Sequence, residues 1–555
     1  MRDIFKNGTS LLFRKQTGIL SAAFVIMATY SLSYIVGLFK SRLLISHFFG
    51  TAAAQLDVYY AALVIPDTIF QLLVIGSLSA AFIPAFTRYL KENEPTAWKM
   101  AAATMNLVLV VFMVICSVVF LLATPLARLI APGFSPVQIV MMSNLLRIML
   151  GAQLFFSVSG FLTGVIQSHQ RFLIPAMAPV AYNLGIIGGI LFLSPMWGIY
   201  GPAAGMVIGA ILHMAVQLPL AYKLGFRFMP IFNLKLPGVK EVAKLMPPRA
   251  LALGIDQIEQ FVAVTLASML SAGSLSLLNV ARLVYTIPTL LFGSTIGQAA
   301  LPTLSQLSAQ KNPELFRQTL SNAFHQVAFL AMPVSVLLIV LRIPIIRIVF
   351  GASTFPWPAT LLAGKTLGVL AISASFYATM QLIIRGFYAL HDTKTPLFVG
   401  LAAAIFDAVL SVIGVWVLNL GIVGIALALT ATAILETSVL SVLLYKRISS
   451  TGYFGEIVIP LVKMVSISLV TGFGLWLPMR LLDQFIFDTT RTLPLIALTL
   501  ITSIFGMTVY MGLSYLFKVE QLGAFINLIK RVRQWRQIIS PPTTEPLIIP
   551  APDQN

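Results

Sequence analysis

The chain has 555 residues, 58% of them hydrophobic and only 10% charged, with a net charge of +18 and a mean hydropathy of +0.93. That balance excludes a water-soluble multidomain protein of this length, so nearly all of the chain must sit in lipid. The single cysteine, Cys116, excludes disulfides and multi-cysteine metal sites, and five scattered histidines give zinc chemistry little support.

A bilayer core about 30 Å thick takes about 20 helical residues per crossing, and apolar runs of that order recur from Thr17 to Phe517. The alternation of a β-barrel is absent, so helices must satisfy the backbone. The pattern predicts an all-α polytopic membrane protein of about 14 transmembrane helices. The first span, 17–39, follows Arg14 and Lys15 but is too long for a signal-peptide core and has no small-residue cleavage site, so it is retained. The second, 58–90, is too long for an upright crossing and carries Pro66, so it should be tilted or broken. Spans 101–127, 137–165, 172–194 and 198–222 complete an N-terminal lobe over 1–225. A basic stretch, 226–249, reads as a cytoplasmic linker. Spans 248–271, 275–305, 319–341, 360–389, 395–418 and 421–445 make a C-terminal lobe over 250–450. Two more spans, 458–479 and 494–516, fill 451–520, and the tail 521–555 ends in a Pro-rich stretch read as disordered.

Cations orient this set. The N-terminus, every second loop and the tail hold 24 of the 36 Lys and Arg residues, which places both termini in the cytoplasm. Membrane topology thus accounts for the positive charge without nucleic acid.

The lobes echo one another. HQRFLIPAMAP from His169, a helix and GIYG at 198–201 parallel HDTKTPLFVG from His391, a helix and GIVG at 421–424; GSLSAAFIP (76–84) parallels GSTIGQAALP (293–302). Six spans separate the copies, as for two parallel six-helix repeats around a midplane site. Gly201, Gly205 and Gly209 recur every four residues, the spacing of close helix packing.

Ionisable groups inside spans are costly and therefore candidates for function. In the first lobe these are Lys40, Arg42, Asp57, Asp67 and Arg147; in the second, Asp256, Glu259, Arg282, Lys365, Arg385, Asp407 and Glu436. Lys40 and Arg42 read equally well as snorkelling anchors, Asp57 as a helix cap, and the mixed charges as structural ion pairs. Acids at half-membrane depth also suit a coupling Na⁺ or H⁺. Loops carry no paired carboxylates or histidines for metal or proton-transfer chemistry, which points to a transporter rather than an enzyme.

The words IAPGF (130–134), HQRFLIPAMAPVAYN (169–183), NVARLVYTIPTLLFGSTIGQAALPTLSQ (279–306) and RGFYALHDTKTP (385–396) together resemble the MurJ (MviN) family of lipid II flippases, within the multidrug/oligosaccharidyl-lipid/polysaccharide exporter superfamily. The resemblance implies a two-lobed alternating-access transporter in the bacterial inner membrane, with two C-terminal helices and a cationic cavity. That cavity would hold the diphosphate of lipid II or a related polyprenyl-diphosphate lipid, and the cell wall synthesis machinery would be a partner to expect. Carried over residue by residue, a first-span arginine falls on Lys40 with Arg42 nearby, a second-span aspartate on Asp57 and an eighth-span arginine on Arg282. Arg147 is a further cation that could compensate for missing ones. A sodium site would fall on Asp256, Asp407 and Thr430. Where the family carries an Arg pair and Glu-Gly, this chain has Phe70, Gln71, Ile75 and Gly76, and an earlier arginine is Tyr34. These departures leave a different polyprenyl-diphosphate glycan, or a cation-coupled exporter of the same superfamily, as alternatives.

Overall fold

The computed structural model describes residues 19–75, 82–351, 354–448, 454–489, 491–523 and 525. Within them it describes every side chain except those of residues 19–28, 30, 75, 237, 245–253, 256, 454, 456 and 457.

All regular structure among these residues is helical. Helix α1 (Ile19–Phe70) is broken at Ala52 (φ −145°, ψ 40°), so the first two crossings meet at a kink without a loop between them. A π-helical segment, Gln71–Ile75, continues it, and α2 (Ile83–Glu92) covers the end of the expected second span. The N-terminal lobe continues with α3 (Glu94–Leu121), α4 (Ala123–Ile130), α5 (Pro136–Ser168), α6 (Leu173–Gly188), a π segment at Gly189–Leu193, α7 (Ser194–Trp197) and α8 (Tyr200–Lys223). Then come α9 (Pro237–Ser268), α10 (Ser274–Tyr285), a π segment at Thr289–Ser294, α11 (Thr295–Ala309), α12 (Pro313–Val340) and α13 (Arg342–Phe350). The C-terminal lobe ends with α14 (Trp357–Ala389), α15 (Lys394–Val412), a π segment at Ile413–Val417 and α16 (Ile422–Ile448), followed by α17 (Phe454–Phe485) and α18 (Thr492–Leu516).

Local chemistry explains the starts. Asn93 and Asn312 each precede a proline-containing first turn, and their side chains accept from the N–H of Thr96 and Leu315. Ser135 and Gln138 form a reciprocal capping box at α5.

Among the described residues, eleven helices are long and apolar enough to cross a membrane, or twelve if the pair Ser274–Tyr285 and Thr289–Ala309, bent by 43°, is one span. This count falls short of the expected fourteen. It takes Ser31–Val74 as one 44-residue span, although that span contains the Ala52 break, and it does not include the 32-residue α9. The linker is also shorter than expected. Helix α9 begins at Pro237, inside the basic stretch, because Val239 and Val242 stand three apart and bury together.

The repeat is visible in backbone conformation. π segments recur at 71–75 and 289–294, beside Gly76 and within GSTIGQ, and again at 189–193 and 413–417. Gln170 and His391 both adopt φ +58°, and Gly198 and Gly421 adopt φ +54° and +56°. His391 is therefore matched in conformation by Gln170, one residue beyond the matching letter His169.

Each lobe closes its last helix pair by glycine contact. A Cβ on Gly185 would lie 2.3 Å from the Cα of Gly209, and one on Gly414 would lie 2.9 Å from the Cα of Gly424. These helices touch backbone to backbone, as membrane helices do where burial from water gives no drive. Helices α17 and α18 pack on α12, where Tyr510 donates to the carbonyl of Phe329 at 3.0 Å.

Candidate functional site

One end of the molecule is a seam between the lobes, built from helix termini. The buried Asp57 on α1 accepts from Gly273 N (2.6 Å), Ser276 N (2.8 Å) and Ser276 Oγ (2.6 Å), so it caps α10 of the opposite lobe. A helix start presents unpaired N–H groups and partial positive charge, and a carboxylate satisfies both. Gly273 has φ +89° and would press a side chain onto Phe49, so glycine is required there. Arg42 does the converse. Its Nη1 donates to the carbonyls of Ile348 (2.5 Å) and Val349 (3.4 Å) and its Nη2 to that of Gly351 (3.1 Å), capping the negative end of α13.

The seam follows the pseudo-twofold logic of the repeat. The stretch after α13 meets the first half of α1, with Thr354 Oγ1 donating to Ser46 O at 2.6 Å and Phe49 against Phe355 at 5.0 Å. The corresponding stretch after α4 meets the end of α9, with Thr265 Oγ1 donating to Ile130 O at 2.8 Å and Gly133 N donating to Ser268 Oγ at 3.3 Å.

Deeper in the N-terminal lobe, Lys40 and Asp67 lie within each other's electrostatic reach, and Gln153 donates to Asp67 at 3.3 Å. Asp67, one of the charges flagged within the spans but given no role by the family resemblance, is thus set beside Lys40 by the fold. Phe70 packs on Phe156 (5.6 Å), which also meets Tyr182 and His213. An aromatic wall thus stands where arginine was expected. Arg147 is placed elsewhere: it donates to Phe120 O (3.2 Å) and Asn144 Oδ1 (3.2 Å) and covers the Phe120 ring, contacts that join it to none of the other candidates among the described residues.

In the C-terminal lobe, Arg282 on α10 is brought into electrostatic reach of Asp407 on α15. Tyr34 reaches across from α1, its hydroxyl on the carbonyl of Leu283 next to Arg282. Asp407 is buried and its Oδ1 has no hydrogen-bond partner among the described residues. Thr430 donates to Val369 O at 3.0 Å, leaving its oxygen lone pairs free to coordinate. A carboxylate oxygen and a hydroxyl are the donor types that a hard cation such as Na⁺ takes. Asp256 lies on α9 with its side chain outside the described residues. Arg385 sits at the bend of α10 and α11, donating to Ser294 O (2.9 Å) and Gly293 O (3.4 Å).

A family model described as lipid II flippase MurJ matches residues 45–511, taking in both lobes and most of the C-terminal helices. The chain belongs to the MurJ family. Relatives include a probable lipid II flippase MurJ of Bdellovibrio bacteriovorus, 28% identical over 91% of this chain and 96% of its own. A lipid II flippase MurJ of Burkholderia cenocepacia is 27% identical over 75% of this chain and 82% of its own. Among solved structures, a MurJ in an inward closed conformation superposes with a TM-score of 0.71 at 23% identity, covering 88% of this chain and 98% of that one. An inward-facing multidrug resistance MATE transporter of the MOP superfamily superposes at 0.63 with 13% identity, over 77% and 98%. These likenesses show that the chain shares the fold of those two structures.

Proposed function

We propose that this chain is a flippase that carries lipid II from the inner to the outer leaflet of the bacterial cell membrane by alternating access, for peptidoglycan synthesis. The observation that carries this reading is the MurJ family match across both lobes. The seam supports it: two lobes joined at one end by hydrogen bonds to helix termini can part there without unfolding either lobe.

In this reading the cargo diphosphate is held by Lys40 and Arg282, since guanidinium and ammonium groups supply charge-assisted donors to its oxygens. Arg42 and Asp57 are engaged in the seam and become available when it opens. Arg147 would reach cargo only by giving up Phe120 and Asn144. Entry of Na⁺ or H⁺ at Asp256, Asp407 and Thr430 supplies the drive, altering the charge beside Arg282. Lobes over 1–225 and 250–450 rock about the 226–249 connection, with 451–520 alongside, both termini cytoplasmic, and cell wall synthesis enzymes as partners.

Depleting the protein while measuring lipid II exposed on the outer leaflet tests the function. Exposure should collapse; unchanged exposure in cells lacking another flippase would overturn it. The Phe70 and Phe156 wall favours a second reading, a different glycan on the same polyprenyl-diphosphate carrier. Photo-crosslinking from position 70 to lipid II and to other lipid-linked saccharides separates the two.

A further inference from the structure

Helix α8 has 24 residues and ends at Lys223. At about 1.5 Å per residue it already covers a hydrocarbon core of about 30 Å, so the chain beyond it emerges at headgroup level. Residues 226–233 have no regular structure, yet they are fastened. Asn106 of α3 donates from Nδ2 to the carbonyls of Met229 (2.7 Å) and Ile231 (3.0 Å), and Phe226 is buried. The opposite side of this strap is bare: Tyr222, Phe228, Phe232 and Leu234 are 45%, 62%, 66% and 58% exposed.

Cations are interleaved with these apolar groups. Lys223, Arg227 and Lys235 are exposed, and no acid occurs from Tyr222 to Lys240. Arg227 lies over the Tyr222 ring at 5.1 Å, and its Nη1 donates to the carbonyls of Tyr222 (2.9 Å) and Phe226 (2.8 Å), which fixes its charge beside the aromatic surface. A lipid-facing helix surface carries apolar groups without such cations. Aromatic rings alternating with Lys and Arg, on a held segment at the end of a complete span, match the boundary between acyl chains and anionic headgroups.

We propose that this strap, residues 222–235, is a docking site for the anionic lipid surface of the leaflet at which α8 ends. The strap passes directly into α9, whose Glu241 pairs with Arg88 of α2 at 2.5 Å. Seating it would therefore fasten the connection between the lobes to that leaflet while the opposite seam opens and closes. The inference concerns lipid and is independent of which cargo is carried.

The test uses the full chain with Phe232→Cys in a Cys116→Ser background, nitroxide-labelled and reconstituted in phosphatidylcholine vesicles with or without about a third phosphatidylglycerol. Expected is a label more accessible to oxygen than to a water-soluble nickel chelate, more strongly so with phosphatidylglycerol. Each of Arg227→Gln and Lys235→Gln should lower the strap's partition to the anionic surface about fivefold. A label as open to the chelate in both lipids as one at the exposed loop position Lys311 would overturn the docking. A buried label indifferent to phosphatidylglycerol and to both substitutions would overturn its anionic selectivity.

Discussion

The carboxylate of Asp57 takes both the backbone N–H and the hydroxyl of Ser276, 219 positions further along the chain. One side chain of α1 thereby holds shut the start of α10, the helix that carries Arg282. Removing it as Asp57→Ala strips three donors of their partner at a buried helix terminus, a loss of about 2 kcal/mol. The ratio of open to closed seam should rise more than tenfold. Spin labels at the exposed positions His47 and Ala272, on the two sides of the seam, would show a longer inter-label distance gaining population. Asp57→Asn keeps an acceptor and should shift the distribution less.

Arg282 is expected to bind the diphosphate through its planar fork of donors. Arg282→Ala should abolish flipping of lipid II in reconstituted vesicles, while Arg282→Lys, which keeps charge but loses two-point geometry, should retain a fraction of about one tenth. Full activity in both would remove Arg282 from the binding site.

Arg385 occupies the space that a side chain at position 297 would need: a Cβ there would lie 2.2 Å from its Nη1. Gly297→Ala should therefore displace the guanidinium from Ser294 and cost about 1–3 kcal/mol by overpacking. In an Arg385→Ala background the same substitution should be nearly neutral. A double-mutant cycle on thermal unfolding measures the coupling, and additive effects would mean that the two positions act separately.

Na⁺ should raise the unfolding temperature of the protein in detergent, since a ligand bound only by the folded state stabilises it by mass action. Asp407→Asn should flatten that response. An equal response to Na⁺ in wild type and variant would place the cation elsewhere or nowhere.

The turn between α14 and α15 has its own pH dependence. Burial alone would push the Asp392 carboxyl up, but bonds from the Thr395 hydroxyl and N–H, the charge of Arg447 and the Lys394 N–H outweigh it and hold the group below the usual carboxylate range. A depressed folded value means stability present above the unfolded value near 3.8 and lost as pH falls through the folded one. Thermal melts taken from pH 5 to pH 3 should fall further for wild type than for Asp392→Asn.

Much of the architecture was legible because hydropathy, Pro and Gly spacing and cation placement are local properties. The glycine contacts of α8 were expected and are found, whereas the helix runs through Pro66 to Phe70 and on into a π segment. Register was less secure, since matching letters set His169 beside His391 while the left-handed backbone sits at Gln170. The length of α9 was missed because its Lys and Arg residues suggested a loop and outweighed two buried valines. Among the candidates, sequence could flag Arg42, Asp57 and Arg147 as charges within spans but not what they face. The positive and negative ends of a helix leave no letter behind, so Asp57 was legible as a helix cap but the helix it caps was not, nor was the cap made by Arg42; Arg147 on α5 turns to Phe120 on α3. Arg282 and Asp407 were named separately, and only the fold brings their charges together.

Apart from the Ser276 hydroxyl, the two caps of the seam pair a side chain with main chain. Only one member of each such pair is encoded by a side-chain identity, so residues 348 and 349 can drift in sequence without unfastening Arg42 as long as the helix ends there. Gly273 also contributes only an N–H, and its identity is fixed instead by its left-handed backbone. A search for co-varying positions across the two lobes would therefore find little at this joint, however strongly it holds, and single-site scanning of Arg42 and Asp57 would be the more sensitive probe.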